Sequence, residues 1–239
     1  MAKIIAVIGS PGSGKTTVTL KLAQELYCAI TNGAVIYLNP SLKIPAMGLL
    51  FPNYTPDSIF SLGKLLDKTD VFEEDVLDNL VTVKAMQNFG CLGYKTGENR
   101  YTYPEPTADK VDALFKVLRN MAGYVFVDCT DDENDLISKF ALREASEVIM
   151  VISPDLKSMV WLASSDIGTH SENALRILNE TDREIYAPID EVRSTIKNIS
   201  FVLPYSIQIK CQHLDGLLYE RVKDKKYRKE LEKIVNRIK

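Results

Sequence analysis

The sequence contains no run of eighteen apolar residues, so no conventional membrane-spanning helix is expected. It has two histidines, His170 and His213, too few and too widely separated for an imidazole-built zinc site. Its four cysteines, Cys28, Cys91, Cys129 and Cys211, form no C-x-x-C pair. That spacing argues against a disulfide framework, and reduced thiols in the cytoplasm are the simplest account. The apolar stretch begins at Ile4, which leaves no room for a signal peptide. No linker, repeat or low-complexity segment divides the 239 residues, and a single nucleotide-binding domain over 1–239 is expected.

The charge is uneven. The net charge is −3, but residues 221–239 carry nine Lys/Arg against Asp224, Glu230 and Glu232, a local +6, so the remainder carries −9. An acidic body gives no strong signal for nucleic-acid binding. In the basic segment, Tyr227, Leu231, Ile234, Val235 and Ile238 recur at helical spacing. A basic helix over 216–239 is expected, either packed on the domain through this stripe or reaching an anionic membrane surface.

The most informative residues are Gly9-Ser10-Pro11-Gly12-Ser13-Gly14-Lys15-Thr16 after the apolar run Ile4–Ile8. They satisfy G-x-x-x-x-G-K-[ST], the phosphate-binding loop. Its glycines let backbone N–H groups curl around an anion, Lys15 can reach the β- and γ-phosphates, and the Thr16 hydroxyl can complete a Mg²⁺ shell. The helix that follows turns its positive end to the phosphates. Tyr124–Asp128 is an apolar strand ending in a carboxylate, which would hold Mg²⁺ through water opposite Thr16. Asn179-Glu180-Thr181-Asp182 follows a later strand, and Asn179 can read an adenine amino group and ring nitrogen. Glu180 stands where a guanine site would favour lysine. Pro204 and Tyr205 end another strand and can pack against a base.

Strand and helix signals alternate along the chain. This predicts an α/β, doubly wound, mostly parallel sheet of seven to eight strands with helices on both faces. Thr55–Leu66 reads as a helix, Leu80–Ala85 as a strand, and residues 88–106, rich in Gly, Tyr and Pro, as a long loop containing an exposed Cys91.

Together, Gly9–Thr17 with its paired Thr16-Thr17, Tyr124–Asp128, Glu147–Ser158, Asn179 and Val202-Leu203-Pro204-Tyr205 resemble the ParA/MinD family of P-loop ATPases, the deviant Walker A group. The last segment is most similar to the CpaE-like pilus-assembly branch, whose members often carry a receiver domain absent from this sequence. The resemblance implies ATP and Mg²⁺ as cofactors, a nucleotide-dependent homodimer, a protein partner and a role in positioning or assembly. Two positions depart from the family. Ser10 stands where members carry a lysine that crosses to the partner's phosphates, and Pro11 replaces a glycine. Asn39, in Tyr37-Leu38-Asn39-Pro40, stands where members carry the aspartate that orients the attacking water. An amide can hydrogen-bond water but cannot accept its proton. Slow hydrolysis is therefore expected, and a regulatory pseudo-ATPase remains an alternative. A small-molecule kinase with residues 88–106 as a lid is a third reading, although Arg100 is the lid's lone arginine. Cys91 and Cys129 invite comparison with the cluster-bridged iron proteins of nitrogenase, but their placement does not match, and two reduced cysteines with one buried are expected.

Overall fold

The computed structural model describes residues 2–52, 61–83, 85–132, 134–164, 173–180, 192, 194–196 and 198–239. Eight strands form one sheet: β1 (Lys3–Gly9), β2 (Val35–Asn39), β3 (Val81–Val83), β4 (Met86–Gly93), β5 (Tyr124–Asp128), β6 (Glu147–Ile152), β7 (Leu175–Asn179) and β8 (Ile199–Leu203). Their order is β3-β4-β2-β5-β1-β6-β7-β8, with only β3 antiparallel to its neighbour. The described helices are α1 (Lys15–Ala29), α2 (Ala46–Leu50), α3 (Leu62–Asp67), α4 (Glu73–Asn79), α5 (Ala108–Met121), α6 (Leu136–Glu144), α7 (Leu156–Ser164), α8 (Ile207–Leu214) and α9 (Lys225–Ile238).

β1 lies at the centre between β5 and β6, and its side chains alternate between two cores, as a strand covered on both faces requires. Ile5 and Val7 join Tyr37, Phe126 and the buried faces of α1 and α9. Ile4, Ala6 and Ile8 join Leu38, Val127 and the apolar stripe of α5. Because β1, β2, β5 and β6 run parallel, their carboxyl ends share one edge of the sheet, where Gly9, Asn39, Asp128 and Ser153 emerge.

Two expectations need correction. Met86–Gly93 is a strand, not the start of a loop, and Cys91 within it is 1% exposed. Its alternating partners on β2 and β3 pull the segment into the sheet despite two glycines, and Leu80 lies where a Cβ on Gly90 would sit. Cys129 is buried as well, so both inner thiols are shielded, while Cys28 and Cys211 are exposed and all four are free. Burial pushes the Cys129 thiol up to about 12 and raises that of Cys91 further, which leaves both inert as thiolates. The predicted strand near Leu80 is the short β3. The predicted helix at Thr55–Leu66 falls largely outside the described residues, and α3 begins at Leu62.

At the C-terminus, α9 starts on Asp224, whose carboxylate accepts from the Lys226 and Tyr227 amides. Tyr227, Leu231, Ile234, Val235 and Ile238 are all buried, and the helix lies against α1. The segment before it is gripped by the polar face of α1. Lys21 donates to the carbonyls of Leu218 and Glu220, both at 2.6 Å, Gln24 donates to Tyr219 at 2.6 Å, and Glu25 pairs with Arg221 at 2.8 Å. The stripe that could have met a membrane therefore faces the core.

Candidate functional site

Two local features shape the loop after β1. Gly12 and Gly14 have φ of +89° and +83°, left-handed values that disfavour any residue with a Cβ. A Cβ on Gly9 would lie 2.4 Å from the Val151 carbonyl oxygen, so close packing of β1 on β6 requires glycine there. Gly14 directly precedes α1, whose first amides point into the bend.

The loop opens onto a cleft of about 1640 Å³ at the carboxyl edge of the sheet. Every residue singled out from the sequence as a nucleotide or metal contact lines it except Gly9, which lies at the foot of the loop. Asn179, Pro204 and Tyr205 thus share one cavity with Lys15, Thr16 and Asp128, as sheet topology requires for strand-end residues of β1, β5, β7 and β8. Thr181 and Asp182 lie outside the described residues, as does His170.

Lys15 donates to the Cys129 carbonyl and pairs with Asp131 at 3.2 Å. It is thus held at the loop by groups that a bound phosphate would outcompete, since the Asp131 carboxylate is partly exposed. Asp128 is 1% exposed. Its Oδ2 accepts from Asn39 Nδ2 at 2.6 Å and from the Tyr37 hydroxyl at 3.1 Å. Its Oδ1 is buried without a hydrogen-bond partner. Burial raises the Asp128 pKa, and the Lys15 ammonium, the neighbouring Thr16 hydroxyl, Asn39 and Tyr37 all oppose that rise. A buried carboxylate oxygen left unpaired beside a threonine hydroxyl is the donor set a hard cation takes. Thr16 and Asp128 therefore fit Mg²⁺.

Asn39 is 3% exposed and both ends of its amide are committed: Nδ2 to Asp128, and Oδ1 to the Ser41 amide at 3.0 Å. In this structure it holds Asp128 in place, while Oδ1, which accepts one bond, keeps a second lone pair. Ser10 is also turned inward, with Oγ 2.5 Å from Ser158 Oγ. Asn179 donates to the Ser13 carbonyl at 2.9 Å and so braces the loop from β7.

Several cleft residues were not anticipated from the sequence. Lys43, after β2, pairs with Asp132 at 3.6 Å across the mouth. Tyr101 and Tyr103 come from the loop after β4, beside Arg100, the lid arginine of the kinase reading, and His213 from α8. The Tyr/Pro-rich composition of residues 94–106 marked a loop but carried no information about which edge of the sheet it crosses. Tyr37 read as an ordinary strand residue, although its hydroxyl reaches Asp128.

No family model matches the chain. Over 70 residues it is 36% identical to cytidylate kinases of Saccharolobus islandicus, a match covering 29% of this chain and 36% of theirs. The chain thus spans about a third of the length of the curated relatives it matches. Solved structures match it end to end. A ParA-family ATPase from Chlorobium tepidum superimposes with a TM-score of 0.76 at 15% identity, covering 98% of each chain. MinD from Pyrococcus horikoshii, solved with Mg-ADP, gives 0.74 at 19% identity, covering 100% of this chain and 96% of that one. This chain has the ParA/MinD fold. A plasmid partition protein of Borrelia burgdorferi bound to AMPPNP shares it, with a TM-score of 0.71 at 15% identity over 100% of this chain and 98% of that one. The ParA/MinD fold accounts for the eight-stranded, mostly parallel sheet and for the position of the loop at its central strand.

Proposed function

We propose that this chain is an ATP-dependent switch of the ParA/MinD type, a single nucleotide-binding domain acting in cellular positioning or assembly. One observation carries this reading. The loop, the unpaired oxygen of Asp128 and the pair Asn179 and Tyr205 meet in a single cleft, with Asp128 to one side of the loop's strand β1 and Asn179 and Tyr205 to the other. Lys15 and the loop amides would hold the phosphates, Thr16 and Asp128 the Mg²⁺, and Asn179, Pro204 and Tyr205 the adenine. The ion supplies charge neutralisation for the phosphates when bound. The chain's own residues fix the phosphate chain, shield it with the loop after β4 and keep Asp128 oriented through Asn39 and Tyr37.

Turnover is slow in this reading. Ser10 brings no cation, and the Asn39 amide cannot accept a proton from the attacking water. Loss of a charge-stabilising contact typically lowers rates by ~10²–10³-fold. The switch works as a nucleotide-bridged homodimer that presents a surface to a protein partner in the cytoplasm. Leu203-Pro204-Tyr205 favours the CpaE-like pilus-assembly branch. Membrane contact through α9 is not part of the proposal, because its stripe is buried.

The match to cytidylate kinases favours a second reading, phosphoryl transfer to a nucleoside monophosphate, and Arg100 and Lys43 in the cleft are suited to a second anion. Release of ADP from Mg-ATP, measured with and without CMP, separates the two. The switch reading predicts slow release that CMP leaves unchanged. Stoichiometric ADP and CDP appearing only with CMP would establish the kinase instead.

A further inference from the structure

We infer that Lys157, on the first turn of α7, is a second cation for the phosphate chain of the bound nucleotide, reaching it from the outer rim of the loop. The inference rests on the nucleotide reading of the cleft and adds to it a residue outside the loop, the metal pair and the base contacts.

Three observations point to this residue. The first is position. A Cβ built on Gly12, the exposed apex of the loop, would lie 3.9 Å from Lys157 Nζ, and no other non-neighbouring heavy atom of the described residues comes within 4 Å. An ammonium on a flexible four-carbon stem can swing from there onto any anion the loop holds.

The second is its lack of a counter-ion. Lys157 is exposed and makes no hydrogen bond or ion pair among the described residues. Of the three lysines that line the cleft, Lys15 is engaged with Cys129 and Asp131 and Lys43 with Asp132, and the third, Lys210, stands on α8. The loop's inward amides and the start of α1 already make this region positive. A cation left unpaired beside them sits in an unfavourable field, which an incoming polyphosphate reverses.

The third is how firmly its backbone is held. Ser158, the next residue, is fully buried, and its Oγ lies 2.5 Å from Ser10 Oγ and 2.8 Å from Ser153 Oγ. Its amide donates to Asp155 at 2.7 Å, and Asp155 in turn accepts from the Ser153 hydroxyl at 2.6 Å. This hydroxyl–carboxylate cluster fastens the first turn of α7 to the loop through Ser10. The inward-turned Ser10 side chain, which supplies no charge itself, thereby fixes where Lys157 stands. Position-holding and charge are divided between two residues.

The test is calorimetric titration of the full chain with Mg-ATP, comparing the unaltered protein with Lys157→Ala, Lys157→Arg and Lys157→Glu. Loss of one charge-assisted contact lowers affinity by about tenfold, so Lys157→Ala is expected to bind Mg-ATP about tenfold more weakly. Lys157→Arg should stay within about threefold of the unaltered chain and Lys157→Glu should bind more weakly than the alanine variant. The nucleotide-free melting temperature should not move in any of them, since the side chain touches nothing that holds the fold. Unchanged affinity in Lys157→Ala and Lys157→Glu, with the unaltered chain binding normally, overturns this inference alone. A loss of affinity matched by a fall in nucleotide-free melting temperature also overturns it, because it assigns Lys157 a structural role. Absence of Mg-ATP binding by the unaltered chain overturns the nucleotide reading and this inference together.

Discussion

Lys15→Ala is expected to lower Mg-ATP affinity by roughly 10²-fold or more. A charge-assisted hydrogen bond to phosphate contributes about 1.5–3 kcal/mol, and an ammonium placed between β- and γ-phosphates makes two. Their sum corresponds to about two to four decades in affinity. In the nucleotide-free chain the same ammonium rests on the Cys129 carbonyl and on the partly exposed Asp131. A phosphate therefore exchanges one set of partners for a better one, and the net effect falls toward the lower end of that range. Direct titration of wild type and variant reads it. Equal affinities would mean that the ligand of this cleft, if any, does not lie on the loop.

Deletion of residues 225–239 is expected to prevent cooperative folding. Five side chains on α9 are buried against α1 and the sheet: Tyr227, Leu231, Ile234, Val235 and Ile238. Burying each contributes about 1.5–3 kcal/mol, and the total rivals the roughly 5–15 kcal/mol stability of a whole domain. The milder change Ile234→Ala leaves a cavity and should cost about 2–5 kcal/mol. In a chain of this length that lowers the melting temperature by roughly 5–15 °C. Thermal unfolding followed by circular dichroism checks both variants. A deletion variant that melts cooperatively at the wild-type temperature would show that α9 does not complete the core.

The two outcomes depend on features that were unequally legible in the sequence. The loop announced itself because its chemistry is local: glycines, a lysine and a threonine at fixed spacing after an apolar strand. The placement of Asp128, Asn179 and Tyr205 in the same cleft followed from sheet topology, since parallel strands deliver their carboxyl ends to one edge. Strand β4 was missed because Phe89-Gly90-Cys91-Leu92-Gly93 carries turn residues, and only its pairing with β2 and β3 overrides them. The roles of Ser10 and Asn39 were legible as missing groups but not as partners. That Ser10 bonds Ser158 and Asn39 bonds Asp128 depends on contacts 148 and 89 residues apart in sequence. The polar residues of α1 mislead for a similar reason. Lys21, Gln24 and Glu25 are polar by type, yet all three are buried, because the segment at 218–221 lies over them and offers its carbonyls and Arg221 as partners. Lys157 lies in a segment whose sequence signal, Ser153-Pro154-Asp155, marks only a helix start.

The central claim is that this cleft is an adenine-nucleotide site. Asn179 gives one of its two amide N–H donors to Ser13, and its Oδ1 stays available to accept from an adenine amino group, whereas a guanine presents a carbonyl oxygen at the corresponding position. Glu180 beside it adds a charge that the guanine carbonyl would not welcome. Titration calorimetry of the full chain with Mg-ATP and Mg-GTP, at equal protein and magnesium, tests this most directly. The account predicts saturable binding of one ATP per chain, with GTP weaker by about tenfold or more, the size of one exchanged hydrogen bond at the base. No heat with either nucleotide, or equal affinity for both, would contradict it.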